Sequence, residues 1–372
     1  MEKQSLKVIQ EVLSKRLTIY ISEKERRLAE ICVDLTLSFI TALVGSVNNL
    51  VVMVVLAKQG FKDSVSISMT TVAFWDFIKC FGGTLQRMSG LLALIDPAMA
   101  QSWANIGVVV FNYLVSFTSY VTSVLAAYVA IERCLCVTIP FRVKKLLTPK
   151  VASALCLAIS VVVFGCFAVM YGVYDIYWDF DPEFNKTVAH YDFKDFSVNN
   201  TSLWEYYNIS GVAWPTVSLI IIIICTVLIS QRLQQASMFR NNLRNSTTSS
   251  SLDLSSNPGK RISRRDGQVI KMLLVVIALF IVTLSPRVAV YTAKYFVYDF
   301  YFLRRYHNLF CLVAYIVYFF DLLNGASNFF IFMVMSTSFR NTIKRMCNIR
   351  IETEVRHHTE LKRLQRRQGN CY

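Results

Sequence analysis

"AIERCLCVTIPFR", Ala130 to Arg142, joins a long apolar run to a basic segment. Upstream of it, Trp103 to Ala130 carries no acid and no base. Downstream, Arg142, Lys144, Lys145 and Lys150 follow one another with no acid between them. Inside the quoted stretch an acid and a base stand side by side, Glu132-Arg133. A helix needs roughly 20 apolar residues to cross the hydrocarbon of a bilayer, and lysine and arginine collect in the loops on the cytosolic side. The stretch therefore reads as the inner end of a membrane span.

Working outward, six more runs of that kind appear. The set is Cys32–Ala57, Val65–Leu92, Trp103–Ala130 running on to Cys136, Val151–Val173, Ile209–Ile229, Val269–Phe296 and Leu309–Met335. The runs are too long for strands and lack period-two alternation, so they predict helices. More than half of the 372 residues are hydrophobic and few are charged, a balance suited to lipid as the main solvent. The expected fold is an all-α integral membrane protein, a seven-transmembrane helix bundle. The four histidines all lie outside the apolar runs, and no phosphate loop, zinc spacing or serine-hydrolase order is present. Enzymatic, metal-dependent and nucleic-acid-binding functions are therefore not expected, and no metal or cofactor is.

Orientation follows from the loops. The net charge of +15 is concentrated after the third and fifth spans and in the tail. The loop after the fourth span is instead acidic, with Asp175, Asp179, Asp181, Glu183, Asp192, Asp195 and Glu205 against Lys186 and Lys194. This places the amino terminus outside and the tail in the cytosol, although Lys24, Arg26 and Arg27 near the first span point the other way. The acidic loop also holds glycosylation signals at Asn185, Asn199, Asn200 and Asn208. Three regions result: an extracellular segment 1–30, a membrane domain 31–347 and a basic cytosolic tail 348–372. The membrane domain includes an acidic outer loop 174–208 and a polar cytosolic loop 240–267. Met1 to Glu30 has no apolar core, which predicts no cleaved signal sequence.

Seven spans with an acid-arginine pair at the inner end of the third resemble a rhodopsin-like (class A) G protein-coupled receptor. The resemblance covers roughly Leu35 to Cys347 and is closest to divergent invertebrate chemosensory or orphan peptide receptors. It implies an extracellular ligand, a heterotrimeric G protein partner, arrestin and a kinase, and a multi-pass place in the plasma membrane among its lipids. Glu132-Arg133-Cys134 occupies the family's switch triplet, and Asp266 stands where a second latch acid is placed. Pro140-Phe141 falls at the second inner loop, where the family packs against the G protein. Asn49 matches the first-helix asparagine, and Pro215 and Pro286 match the kink prolines. Asp76 matches the aspartate that binds sodium in the family, with partners at Thr122, Asn324 and Asn328. Ser327 to Phe332 occupies the last conserved motif of the seventh helix, and Phe339-Arg340 opens a short amphipathic eighth helix ending near Cys347, a palmitoylation position.

The departures are specific. Val108 replaces the outer cysteine of the third helix, and the second outer loop has no cysteine, so both halves of that disulfide are missing together. Leu284, Phe329, Phe332 and Ile223 replace a tryptophan, a proline and two tyrosines. Cys32 and Cys311 lie at the outer ends of neighbouring spans, and either pair there or remain free thiols.

Ionisable residues inside spans mark functional sites. Five stand out: Asp76, Lys79 and Arg87 in the second span, Arg287 in the sixth and Asp321 in the seventh. Asp76 and Lys79 are three apart and predict an internal pair that competes with sodium. Three positive groups against two negative leave one buried cation in excess, which predicts a carboxylate-bearing ligand at Arg87 or Arg287. The alternative is that Asp321 pairs with Lys79 or an arginine and water covers the rest. Asn112, Val115, Ser116, Ser119, Tyr291 and Tyr318 are expected in the ligand-cavity wall, with Val115 arguing against an amine ligand. The reading is a receptor for a peptide or small chemosensory molecule. A ligand-gated channel or transporter, and a receptor-like protein without signalling, stand as alternatives.

Overall fold

The computed structural model describes residues 21–61, 63–139, 142–143, 146–247, 264–297, 299–301 and 304–347. The chain is helical except for one hairpin. Helix α1 spans Glu23–Gln59, α2 Ser64–Leu92, α3 Pro97–Val109, α4 Phe111–Thr138 and α5 Pro149–Ala168. Strands β1 (Tyr174–Asp181) and β2 (Lys186–Phe193) follow, then α6 Asp195–Asn199, α7 Thr201–Thr247, α8 Arg264–Phe296 and α9 His307–Met335. A last helix covers 337–347.

Local chemistry sets the helix starts. Ser22 and Glu25 form a reciprocal capping box ahead of α1. Asp63, Asp96 and Thr148 cap α2, α3 and α5 through their side-chain oxygens, with Pro97 and Pro149 at the first helical positions. At the far end of α9, the Arg340 guanidinium donates to the carbonyls of Met333 and Val334, groups the helix itself leaves unpaired.

Six helical segments among the described residues are long and apolar enough to cross a membrane. Asp76, Lys79 and Arg87 interrupt α2, which is nonetheless 29 residues long and packs against α1, α4, α5 and α9. Helix α4 is the bundle's centre. It is buried along nearly its whole length and touches α2, α5, α7 and α8. Asn49 ties α1 to α9 by donating to the Gly325 carbonyl at 2.8 Å, and Trp75 ties α2 to α5 through the Ser160 hydroxyl at 2.8 Å. Neither group has water to turn to inside a membrane, so each bond fixes a helix register.

Two expectations need correction. The third span is not one helix: α3 and α4 meet at a break at Val110. The polar loop 240–267 begins and ends in helix, because α7 continues to Thr247 and α8 starts at Arg264. The residues leading into it, Gln231 to Arg244, are mostly straight-chain helix formers that extend the helix past the apolar run. The amino-terminal segment is already helical from Glu23.

Candidate functional site

Among the described residues, the buried cations Lys79, Arg87 and Arg287 each have a partner of opposite sign. Lys79 donates to Asp76 at 2.6 Å, Arg287 donates to Asp321 at 2.6 Å, and Arg87 closes on the carboxylate of Asp34. Asp34 lies in the π-helical section of α1, Glu30–Ser38, and its backbone carbonyl also accepts from Arg87 Nε at 3.0 Å. The expected excess of one cation is therefore wrong, because Asp34 supplies a third carboxylate. The argument for a carboxylate-bearing ligand falls with it.

The Arg287–Asp321 pair sits in a ring of phenols. The Arg287 guanidinium lies 4.8 Å from the Tyr120 ring centre and 5.5 Å from that of Tyr291. Tyr318 donates to Asn112 and lies 3.4 Å from the Ser116 hydroxyl, so three residues expected in the cavity wall do meet. Tyr207 packs edge-on to Tyr113 and continues the ring toward α7. Gly211 on α7 permits this packing. A Cβ there would stand 3.1 Å from the Tyr120 hydroxyl and 3.3 Å from the Tyr291 ring. Arg287 Nε and the Tyr120 hydroxyl are buried without a hydrogen-bond partner, unusual for groups in a closed core. Val115 is fully buried, and Ser119 turns its hydroxyl back onto the Val115 carbonyl at 2.8 Å, away from the ring.

Below the ring, Asp76 is held from two helices: Lys79 takes one oxygen and Asn328 donates to the other at 2.9 Å. Thr122 bonds the Ser119 carbonyl of its own helix at 3.1 Å, and the Asn324 side-chain oxygen is buried without a partner. Of the four residues matched to an ion site, the structure joins only Asp76 and Asn328.

At the inner end of α4, Glu132 is fully buried. It accepts a hydrogen bond from Ser68 at 3.0 Å and a second from Ser64, both on α2. Arg133 lies 3.5 Å from Glu132, an ion pair without hydrogen-bond geometry, and its Nε and Nη2 are buried without acceptors. Phe332 stacks on Phe339 at 5.4 Å, joining α9 to the last helix. Pro286 lies inside α8, one residue before Arg287. Pro140 and Phe141 lie outside the described residues, as does the side chain of Asp266.

At the opposite end of the bundle from Glu132, β1 and β2 form an antiparallel hairpin turning through Asn185. Ala189 of β2 is gripped through both its backbone groups: its N–H donates to Ser102 at 3.2 Å, and its carbonyl accepts from Asn105 at 2.7 Å. Lys186 adds an ion pair to Asp96 at 2.6 Å. Asn185 and Asn199 are exposed and Asn200 half-buried, while Asn208 accepts from Lys294 across the α7–α8 contact. The described cysteines are free thiols. The Cys32–Cys311 bridge is not formed, since Cys32 is exposed and Cys311 is buried beside His307. Cys347 is exposed at the end of the last helix.

Sequence reasoning missed Asp34, Tyr120, Tyr207, Gly211, Ser64 and Ser68. A full count of ionisable residues would have found Asp34. The others look like ordinary core until their neighbours are known.

The described helices make a helical membrane bundle with paired charges across its middle. The chain matches the family described as serpentine type 7TM GPCR chemoreceptor Srw over residues 36–350, and it belongs to that family. It is thus a multi-pass membrane receptor of chemosensory type, with an extracellular ligand and a G protein as its general partners. No curated protein matches the chain.

Proposed function

We propose that the chain is a plasma-membrane chemoreceptor with its amino terminus outside, binding a small chemosensory molecule or peptide at the tyrosine ring around Arg287 and Asp321. It carries out no bond-making chemistry. The observation that supports this reading is the buried Arg287–Asp321 pair, ringed by tyrosines from α4, α8 and α9, with a guanidinium nitrogen and a phenol left unbonded. Buried groups of that kind are retained where they serve a ligand. Ligand favours a state in which α8, bent at Pro286, moves at its inner end and frees Arg133 for a heterotrimeric G protein. Arrestin and a receptor kinase would then act on the cytosolic face. The Asp76 site does not suit sodium, because the Lys79 ammonium takes the carboxylate oxygen such an ion needs.

Nucleotide exchange by a heterotrimeric G protein, measured in membranes holding the receptor and a panel of small molecules and peptides, tests the reading. Ligand-driven exchange that is lost in Arg133→Ala and weakened at least tenfold in potency by Arg287→Leu is the expected result. Exchange unaffected by Arg133→Ala at equal abundance would refute the switch, and ligand-gated ion flux in liposomes would establish the channel reading instead.

A further inference from the structure

We infer that Lys79 couples the tyrosine ring to the inner half of the bundle by dividing its ammonium between two carboxylates. This rests on the ligand site proposed above. On α9, Asp321, Gly325 and Asn328 are spaced four and three residues apart and so form one stripe of the helix. Lys79 crosses the middle of that stripe. A Cβ on Gly325 would stand 2.9 Å from Lys79 Cε and 3.2 Å from its Nζ, so glycine is what lets the side chain lie there. One turn outward is Asp321, held by Arg287, and one turn inward is Asn328, bonded to Asp76. Lys79 bonds Asp76, and the glycine it lies against is one helical turn from Asp321.

The result is an alternating chain, Arg287–Asp321, Lys79–Asp76–Asn328, running from the outer site toward the cytosolic half. Among the described residues, the hydrogen bonds to the two carboxylates come from these groups, and a carboxylate stripped of its cation inside a membrane must find another. A ligand that draws Arg287 off Asp321 therefore pulls Lys79 outward. Asp76 is then left with Asn328 alone, and the tie between α2 and the inner part of α9 loosens. The two bonded pairs give the bistable element, and the ligand biases it from one end.

Arg287 and Lys79 share no bond, so independent roles predict additive effects. The test uses the full-length receptor, purified in nanodiscs, and a thermal-unfolding cycle of Lys79→Met, Arg287→Leu and the double variant. A cycle repeated on an Asp321→Asn background is the control. Coupling between positions 79 and 287 of at least about 2 °C in melting temperature, abolished by Asp321→Asn, is expected. Additivity overturns the inference, and so does coupling that survives Asp321→Asn. Basal G protein nucleotide exchange is read in parallel. Arg287→Leu should raise it at least twofold, and adding Asp321→Asn should remove the rise. Thermal coupling with exchange unmoved in Arg287→Leu limits Lys79 to a structural tie and overturns the transmission claim. Thermal coupling with no exchange from the intact receptor on any G protein instead removes the signalling reading and leaves the charge shuttle standing. A variant that does not fold is replaced by Lys79→Gln or Arg287→Gln in the same cycle.

Discussion

Ser68 on α2 donates its hydroxyl to the buried carboxylate of Glu132 on α4 at 3.0 Å, while Arg133, the next residue along, stands 3.5 Å away without a hydrogen bond. Glu132 is thus held by a neighbouring helix more firmly than by its adjacent base. With Ser64 bonding the second oxygen, the carboxylate is satisfied and Arg133 is left with unpaired donors. Removing both hydroxyls strands a buried anion, and the guanidinium beside it is the nearest remedy. A hydrogen bond to a charged group contributes about 1.5–3 kcal/mol. Ser64→Ala/Ser68→Ala should therefore tighten the Glu132–Arg133 pair and lower G protein nucleotide exchange about tenfold. A rise in exchange would show that the serines themselves are the latch.

The Asp34–Arg87 pair joins α1 to α2 near the outer end, with Arg87 2% exposed and Asp34 18% exposed at their side chains. Breaking a buried pair from one side leaves an uncompensated charge and costs about 3 kcal/mol, whereas removing both partners costs much less. Asp34→Leu and Arg87→Leu should each lower the melting temperature of purified receptor by several degrees. The double variant should recover more than half of the loss. If the double variant is worse than both singles, the pair is not the principal partner of either group.

That pair also shows how far the sequence could be read. The apolar runs and the Asp76–Lys79 pair follow from helical spacing, which a sequence states directly; Asn49 was legible only as a match to the family's first-helix asparagine, and its bond to Gly325 was not. Asp34 is the third residue of a span, where hydropathy invites one to treat charge as solvated; only the π-helical section and the approach of α2 show it half-buried against Arg87. The hairpin had a legible signal. Asp175, Tyr177, Asp179 and Asp181 alternate with Ile176, Trp178 and Phe180, a period-two pattern inside a segment read only for its charge. The serines that hold Glu132 had none, because a hydroxyl's partner on another helix is a matter of rotation about the helix axis.

No described cysteine bonds the hairpin to the bundle; Ser102, Asn105 and the Asp96–Lys186 pair do. Reducing agent at millimolar strength should leave ligand potency unchanged, whereas Asn105→Ala should weaken it at least fivefold in a dose–response assay. The ion pair has a pH signature. The Lys186 side chain, bonded to Asp96, holds that carboxyl below its ordinary value. A depressed carboxyl contributes stability above its unfolded pKa, about 3.9, and loses it as pH falls through the lower folded value. Being exposed, the pair contributes little. Hairpin docking, followed by hydrogen exchange at Ala189, should therefore weaken only slightly as pH falls below about 4 in the parent, show no such step in Asp96→Asn, and be lost at neutral pH in Asn105→Ala.

Gly211 gives the most direct probe of the ring. Its missing side chain lets the Tyr120 hydroxyl and the Tyr291 ring reach the α7 backbone, and a methyl group would meet them at 3.1 and 3.3 Å. Neither distance is a hard clash, so the tyrosines must give by a few tenths of an ångström. Tyr291 has room to do so because it is only half-buried, whereas Tyr120 is fully buried against Phe167 at 4.6 Å. The strain therefore falls on Tyr291 and on the Arg287 guanidinium lying over it. Overpacking of this size costs about 1–3 kcal/mol where it cannot relax, and most of it relaxes here at the expense of the site. Gly211→Ala should keep its melting temperature within about 3 °C of the parent while losing at least tenfold in ligand potency. A variant that signals normally would mean that ligand does not touch the tyrosine ring.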